Sequence, residues 1–191
     1  MKTKTLLFLL VMLSFTVFAQ NKANPDEASI KKSLTYFMNS IKDKKIDQGV
    51  NCIYPKLFIV IPKDQMTQIL NMTYNNPFMK IDMSNLKFGN IELPKQINGE
   101  YFSIVNYFFH LKCDVGSLND EMKKRLNAAF ISKYGKNNVK YIAAESSYFV
   151  NAHMRACAVS KNRKNWQFII LEKEYKPHLI RVLPKKVLDK I

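Results

Sequence analysis

The chemistry available to this chain starts with three histidines, His110, His153 and His178, the side-chain type whose charge ordinarily changes near neutral pH. Two of them fall in runs that read as strands, "YFSIVNYFFHLKC" and "YFVNAHMRACAV". His110 shares its parity with Asn106, and His153 shares its parity with Asn151 and Arg155. Side chains two apart on a strand face the same way. If the two strands are neighbours, one sheet face therefore collects all five residues, and Asp82 joins them from an earlier strand. A histidine beside a carboxylate is the raw material of general-base catalysis, the histidine taking the proton and Asp82 orienting it. The outward polar residues of an ordinary sheet have the same spacing, so the pattern names candidates without making an enzyme.

Nucleophile and metal signals are thinner. Cys52, Cys113 and Cys157 are an odd number, too few and too scattered for a disulfide framework or a metal knuckle. Cys113 and Cys157 can pair only if their strands are neighbours. A reactive thiolate needs an electropositive, partly open setting, and Cys157, next but one to Arg155, is the best placed for it. Burial as a small hydrophobe is the alternative for all three. No "HExxH", paired "CxxC" or "GxSxG" is present, and five glycines leave little backbone for a phosphate cradle. The reading calls for no cofactor and no metal. A last set is aromatic. Tyr36, Phe37, Tyr107, Phe109 and Trp166 converge if the first helix lies on the sheet, with Ala128, Ala129, Ala152 and Ala156 opposite. Such a convergence gives either an apolar ligand pocket or close packing.

These residues need elements to hold them. Ile30, Leu34, Phe37 and Ile41 are spaced for a helix, with Asp26 and Ser29 as caps. Ile46, Val50 and Ile53 mark a second, short helix that Pro55 stops. The link "YPKLFIVIP" is apolar enough to require burial, and a third helix starts at Pro62 with Met66, Ile69 and Leu70 inward. From Met79 the period changes to two, with a parity switch that predicts a bulge near Asn85. "PKQING" turns the chain into the Tyr101–Cys113 strand. A capped helix follows Ser117, with Met122, Leu126, Ala129 and Phe130 as its inner stripe and Gly135 as its stop. Two or three strands and a short basic helix, "LPKKVLDKI", complete the chain. The order predicts an α+β fold: a curved antiparallel sheet of four to six strands with N-terminal helices packed on one face.

The Tyr101–Cys113 strand is apolar on both parities, where a half-wet strand would be polar on one. It should therefore be central, with its second face sheltered by the C-terminal segment from Lys176, by a second copy of the protein, or by a ligand. A sheet-face homodimer is the first choice among the three.

Residues 1–19 read as a signal peptide: Lys2 and Lys4, an apolar run from Leu6 to Phe18, and a small-residue cleavage site in "VFAQ". Residues 20–28 form a polar leader and 29–191 a single α+β domain. The apolar run is short for a span of about 20 residues, so the protein is expected to be exported, periplasmic or extracellular, with no transmembrane anchor once the signal is removed. Thirty Lys and Arg against 15 Asp and Glu give a formal charge of +15, which attracts anionic partners such as acidic lipids or envelope polymers. The lysines are dispersed in pairs ("IKKS", "KDKK", "MKKR", "PKKV"), as on a solvated surface. Arginine, the fork used for phosphate and base recognition, is confined to Arg125, Arg155, Arg163 and Arg181, which argues against nucleic acid.

The segments "IYPKLFIVIPKDQM", "YGKNNVKY" and "WQFIILEKEY…LIRVLPKKVL" resemble a group of uncharacterised secreted bacterial proteins of similar length. The paired helices ahead of a curved sheet more distantly resemble the nuclear transport factor 2-like (cystatin-like α+β) superfamily. That resemblance implies a cone-shaped pocket and pairing through the sheet face, although this chain places two strands, rather than one, before its fourth helix. The combined reading is an exported, non-catalytic binding or assembly domain with an apolar pocket between helix one and the sheet, its partners a second copy of itself and an anionic or apolar ligand. A small-molecule enzyme with His110 or His153 as base and Asp82 as orienter is the first alternative. A basic module for anionic envelope polymers or lipids is the second.

Overall fold

A computed structural model describes residues 24–191; the signal peptide read over 1–19 and the start of the leader lie outside the described residues. The first helix, α1 (Pro25–Lys42), begins earlier than its apolar spacing suggested. Asn24, and not Asp26 or Ser29, is the cap: its side chain accepts from the Asp26 backbone N–H, and Pro25 sets the first turn. Asp26 and Ser29 are instead tied to the distant hairpin loop at 160–166. Arg163 grips Asp26 with two guanidinium nitrogens, and the Trp166 indole N–H donates to Ser29 Oγ at 2.8 Å. The helix start is thus held by tertiary partners, and the leader's last residues belong to the domain.

Helix α2 (Ile46–Asn51) packs on α1 at Gly49, where a Cβ would sit 2.5 Å from Ile41 Cδ1. The next turns, Pro55–Ile59, form a 3₁₀ helix in which Leu57 is buried but Ile59 is 64% exposed, so burial of this apolar link is only partial. Helix α3 (Lys63–Tyr74) follows, then strands β1 (Lys80–Ile91), β2 (Lys95–Ile97) and β3 (Glu100–Asp114). Asn98 and Gly99, both at positive φ, make the two-residue β2–β3 turn that such residues favour. The predicted bulge is present: Asn85 has φ 56° where the β1–β3 register shifts.

Helix α4 (Asp120–Tyr134) lies over the sheet by Leu126, Phe130 and Tyr134, whereas Met122, Ala128 and Ala129 face solvent. Its predicted stripe is therefore half right. Strand β4 (Val139–Ile142), β5 (Ser147–Ser160), β6 (Gln167–Ile170) and the short helices α5 (Lys176–Leu179) and α6 (Lys185–Leu188) complete the chain. The fold is α+β: a curved, open, antiparallel sheet of six strands in the order β1-β3-β5-β4, with β2 also on β3 and β6 also on β5.

Strand β3 is central, as its composition demanded. Its odd residues from Ser103 to Cys113 form the core with the even residues of β5 and the N-terminal helices; Val105, Cys113, Ala152 and Ala156 are fully sealed. Its even face divides in two. Glu100, Phe102 and Ile104 are buried, while Asn106 and Phe108 are partly open and His110 and Lys112 are exposed. A row of neighbours across this face reads Glu92, Ile104, Cys157, Ile169, from the residue just after β1 to β6. Lys190 bridges that row: its ammonium pairs with Glu92, and its carbonyl accepts from Arg155 at 2.7 Å. The C-terminal segment, with Leu179, Val182, Leu183, Val187 and Leu188 turned inward, is thus the cover over the buried half. No second copy is needed there.

Candidate functional site

The histidine and aspartate candidates share a face without forming a catalytic unit. His110 lies opposite Asn151, His153 opposite Phe108, and Asp82 opposite Lys112, all on the open half of the second face. His110 Nδ1 accepts from the Asn85 side-chain amide at 3.0 Å, and His153 stands edge-on to the Phe108 ring at 4.8 Å. Neither imidazole is hydrogen-bonded to Asp82 among the described residues. All three side chains are exposed, with no wall to exclude water. His178 sits apart, exposed on α5.

The aromatic set does not enclose a pocket. Phe37 is buried and stacked on Phe168 at 6.1 Å, Trp166 is buried and bonded to Ser29, and Tyr107 stacks on Phe109. Tyr107 and Phe109 thus line the core as read, but Tyr36 points away, 54% exposed, with its hydroxyl on Gln48. Of the alanines meant to face them, Ala152 and Ala156 are sealed in the core and Ala128 and Ala129 are outside it. Phe37, Tyr107, Phe109 and Trp166 belong instead to one packed core cluster, as close packing requires.

The cysteines also separate. Cys113 faces the core side of β3 and Cys157 the other side of the sheet, near opposite ends of the β3–β5 ladder, so they cannot pair. All three thiols are free. Burial pushes the Cys113 and Cys157 thiols each up to about 12, the reverse of an activated nucleophile. Among the described residues no cluster of His, Cys, Asp or Glu could hold a metal ion.

A different place gathers polar groups. Glu100 opens β3 directly after the tight turn, on the parity that Phe102 and Ile104 keep buried, so its carboxylate enters a sheltered position. A charge there needs partners, and they come from the chain after α2. Tyr54 Oη donates to Glu100 Oε2 at 2.7 Å and Lys56 Nζ to the same oxygen at 2.8 Å. Tyr54 is placed by two backbone bonds: Phe168 donates to the Cys52 carbonyl, and the Tyr54 N–H donates to the Phe168 carbonyl. The site therefore depends on a joint between the N-terminal helices and β6.

Burial alone would push the Glu100 carboxyl upward. The bonds from Lys56 and Tyr54, with the charges of Lys56 and Lys161, outweigh it and hold the group below the usual carboxylate range. In turn the bond to Glu100 holds the Lys56 ammonium above the usual lysine range. These groups line a cleft of about 320 Å³ with Pro55, Val159, Ser160, Lys161, Asn162, Asn165 and Gln167. That volume lies at the lower end of small-molecule sites.

A pH prediction follows. Glu100 binds its proton less readily in the fold than in the unfolded chain, so its contribution is complete above the ordinary carboxylate range and fades as pH falls through its lowered value. Lys56 is half exposed, which discounts the pair. Glu100→Gln should cost about 1 kcal/mol at pH 7 and make stability less steep below about pH 5. Urea unfolding from pH 7 to pH 3 measures both. Parallel pH profiles for the two proteins would show that the carboxylate is not held as described.

The sequence did contain a trace of this site. The parity that marked Phe102 and Ile104 as sheltered also contains Glu100, and a sheltered carboxylate implies a cation within reach. Lys56 could not be found that way, because it arrives from far along the chain. No family model, curated protein or solved structure matches the chain.

Proposed function

We propose that the protein is an exported, non-catalytic binding domain whose ligand seat is the cleft over Glu100. The observation that carries this reading is a buried carboxylate, already paired with Lys56 and Tyr54, at the wall of a cleft large enough for a small polar molecule. Preorganised polar groups orient a ligand without having to be rearranged on binding. The non-catalytic part rests on the titratable groups. Among the described residues the exposed histidines have no carboxylate partner, and the buried thiols are pushed away from reactivity. Export rests on the N-terminal sequence pattern.

A thermal-unfolding panel of small organic acids, amino acids and sugars, each near 10 mM, tests the reading. A ligand at about 100 times its Kd stabilises a fold by about 2.7 kcal/mol, which moves the midpoint by several degrees. At least one class should do so, and the shift should shrink in Glu100→Gln, which releases Lys56. A flat response across the panel would contradict the proposal.

Self-association through the sheet face would have to use the half left open by the C-terminal segment. Asn106, His110, Lys112, Asn151 and His153 make that half mainly polar, unlike the apolar centre of a stable homodimer. Sedimentation at about 50 μM is therefore expected to give the mass of one chain; twice that mass would make the open half an interface.

A further inference from the structure

We propose that the cleft over Glu100 takes a small organic carboxylate, seated between the ammonium groups of Lys56 and Lys161. This rests on the reading of the cleft as a ligand site and adds the class of ligand. The charge inventory comes first. The lining holds two cations, Lys56 and Lys161, and one anion, Glu100, so one positive charge is left without a partner. Lys56 is taken by Glu100 at 2.8 Å. Lys161 makes no hydrogen bond or ion pair among the described residues, yet it is near enough for its charge to act on Glu100. The Asn165 side-chain amide is likewise unengaged among the described residues, and Gln167 Nε2 reaches the Asn51 carbonyl only at 3.5 Å. The Lys161 ammonium offers only donors and the Asn165 and Gln167 amide nitrogens add more; these suit oxygen acceptors carrying negative charge.

The loop beside the cleft separates a carboxylate from a phosphate. Phosphate sites use arginine forks or a nest of free backbone N–H groups. Here the nest is filled from within: Asn162 and Arg163 N–H donate to Ser160 Oγ, and Lys164 and Asn165 N–H donate to Asn162 Oδ1. The nearest arginine, Arg163, is committed to Asp26. What remains, the unpaired Lys161 ammonium and side-chain amides, with the Glu100-paired Lys56 and the apolar Pro55 and Val159 beside them, matches two carboxylate oxygens on a short carbon stem. Glu100 is a positioning residue: its carboxylate fixes the Lys56 ammonium.

Calorimetric titration of the purified protein at 0.15 M salt decides this, with succinate, inorganic phosphate and glucose as probes. Succinate should bind saturably, and phosphate about tenfold more weakly. Lys161→Gln, a side chain that makes no bond among the described residues, should weaken succinate about tenfold, and Asn165→Ala a few-fold. Lys140→Gln, an exposed lysine on β4 at the far end of the sheet, should leave the affinity unchanged. Equal losses in Lys140→Gln and Lys161→Gln, or phosphate binding as tightly as succinate, would overturn the proposal. If glucose alone bound and lost affinity in Asn165→Ala, the carboxylate would be wrong while the cleft stood. If no probe bound, both would fall.

Discussion

Removal of residues 176–191 should turn Cys157 from an inert thiol into one that reacts readily with a disulfide reagent. In the intact fold Cys157 is fully buried although it lies on the second face of the sheet, opposite Ile104 and Ile169. Those neighbours flank it within the sheet and cannot roof it. The roof is the C-terminal segment, pinned across this row by Lys190 on Glu92 and by Arg155 on the Lys190 carbonyl. Five of its side chains, Leu179, Val182, Leu183, Val187 and Leu188, are buried. At roughly 1.5–3 kcal/mol for each fully buried aliphatic side chain, their loss is of the order of the whole stability of a domain before the entropy regained by the freed segment is set against it. Cys113 supplies the control. It is equally buried but faces the core side, beside Tyr148, whose hydroxyl donates to the Lys123 carbonyl of α4. Reaction of Cys157 with Cys113 silent means that the roof has gone and the fold remains. Simultaneous reaction of both means global unfolding, which would place the segment within the cooperative core. A truncated protein with Cys157 still protected would refute the description of this face.

Phe168→Ala is the second large effect, an expected loss of about 3–5 kcal/mol. Phe168 is 1% exposed, stacks on Phe37 of α1, and lies opposite Ala158 in the β5–β6 pair. Its backbone forms the joint with Cys52 and Tyr54. The side chain holds α1 to the sheet, while the backbone sets Tyr54, and with it Lys56 and Glu100, at the cleft. The alanine variant should therefore lose stability and ligand affinity together, whereas Phe168→Leu, which keeps most of the volume, should cost about 1 kcal/mol. Urea unfolding measures the first and titration with succinate the second. A loss below about 1 kcal/mol for the alanine would show that the joint is held elsewhere.

Much of this architecture could be read from the letters because strand parity is a strict signal. The apolar residues on both parities of Tyr101–Cys113 placed that strand centrally, and the parity switch at Asn85 located the bulge. Helix faces were less legible. The α4 spacing included Met122 and Ala129, but α4 rests on the sheet by Leu126, Phe130 and Tyr134, since apolar residues at helical spacing do not say how far a helix rolls on its support. The start of α1 was missed because Asp26 and Ser29 resemble caps, and only the tertiary fold brings Arg163 and Trp166 to them. For the candidate site, the sequence singled out polar side chains at regular spacing, and those turned out to be the wet half of a sheet. Glu100 was overlooked because its partners, Tyr54 and Lys56, lie beyond any local pattern.

The most direct test of the account is a map of where small solutes land, taken from amide NMR spectra of the protein with a mixture of small organic acids, amino acids and sugars. The shifts should gather at Tyr54, Lys56, Glu100, Lys161, Asn165 and Gln167, the residues that line the cleft. Shifts gathered instead at Asn106, His110 and His153, or on no residue at all, would contradict it.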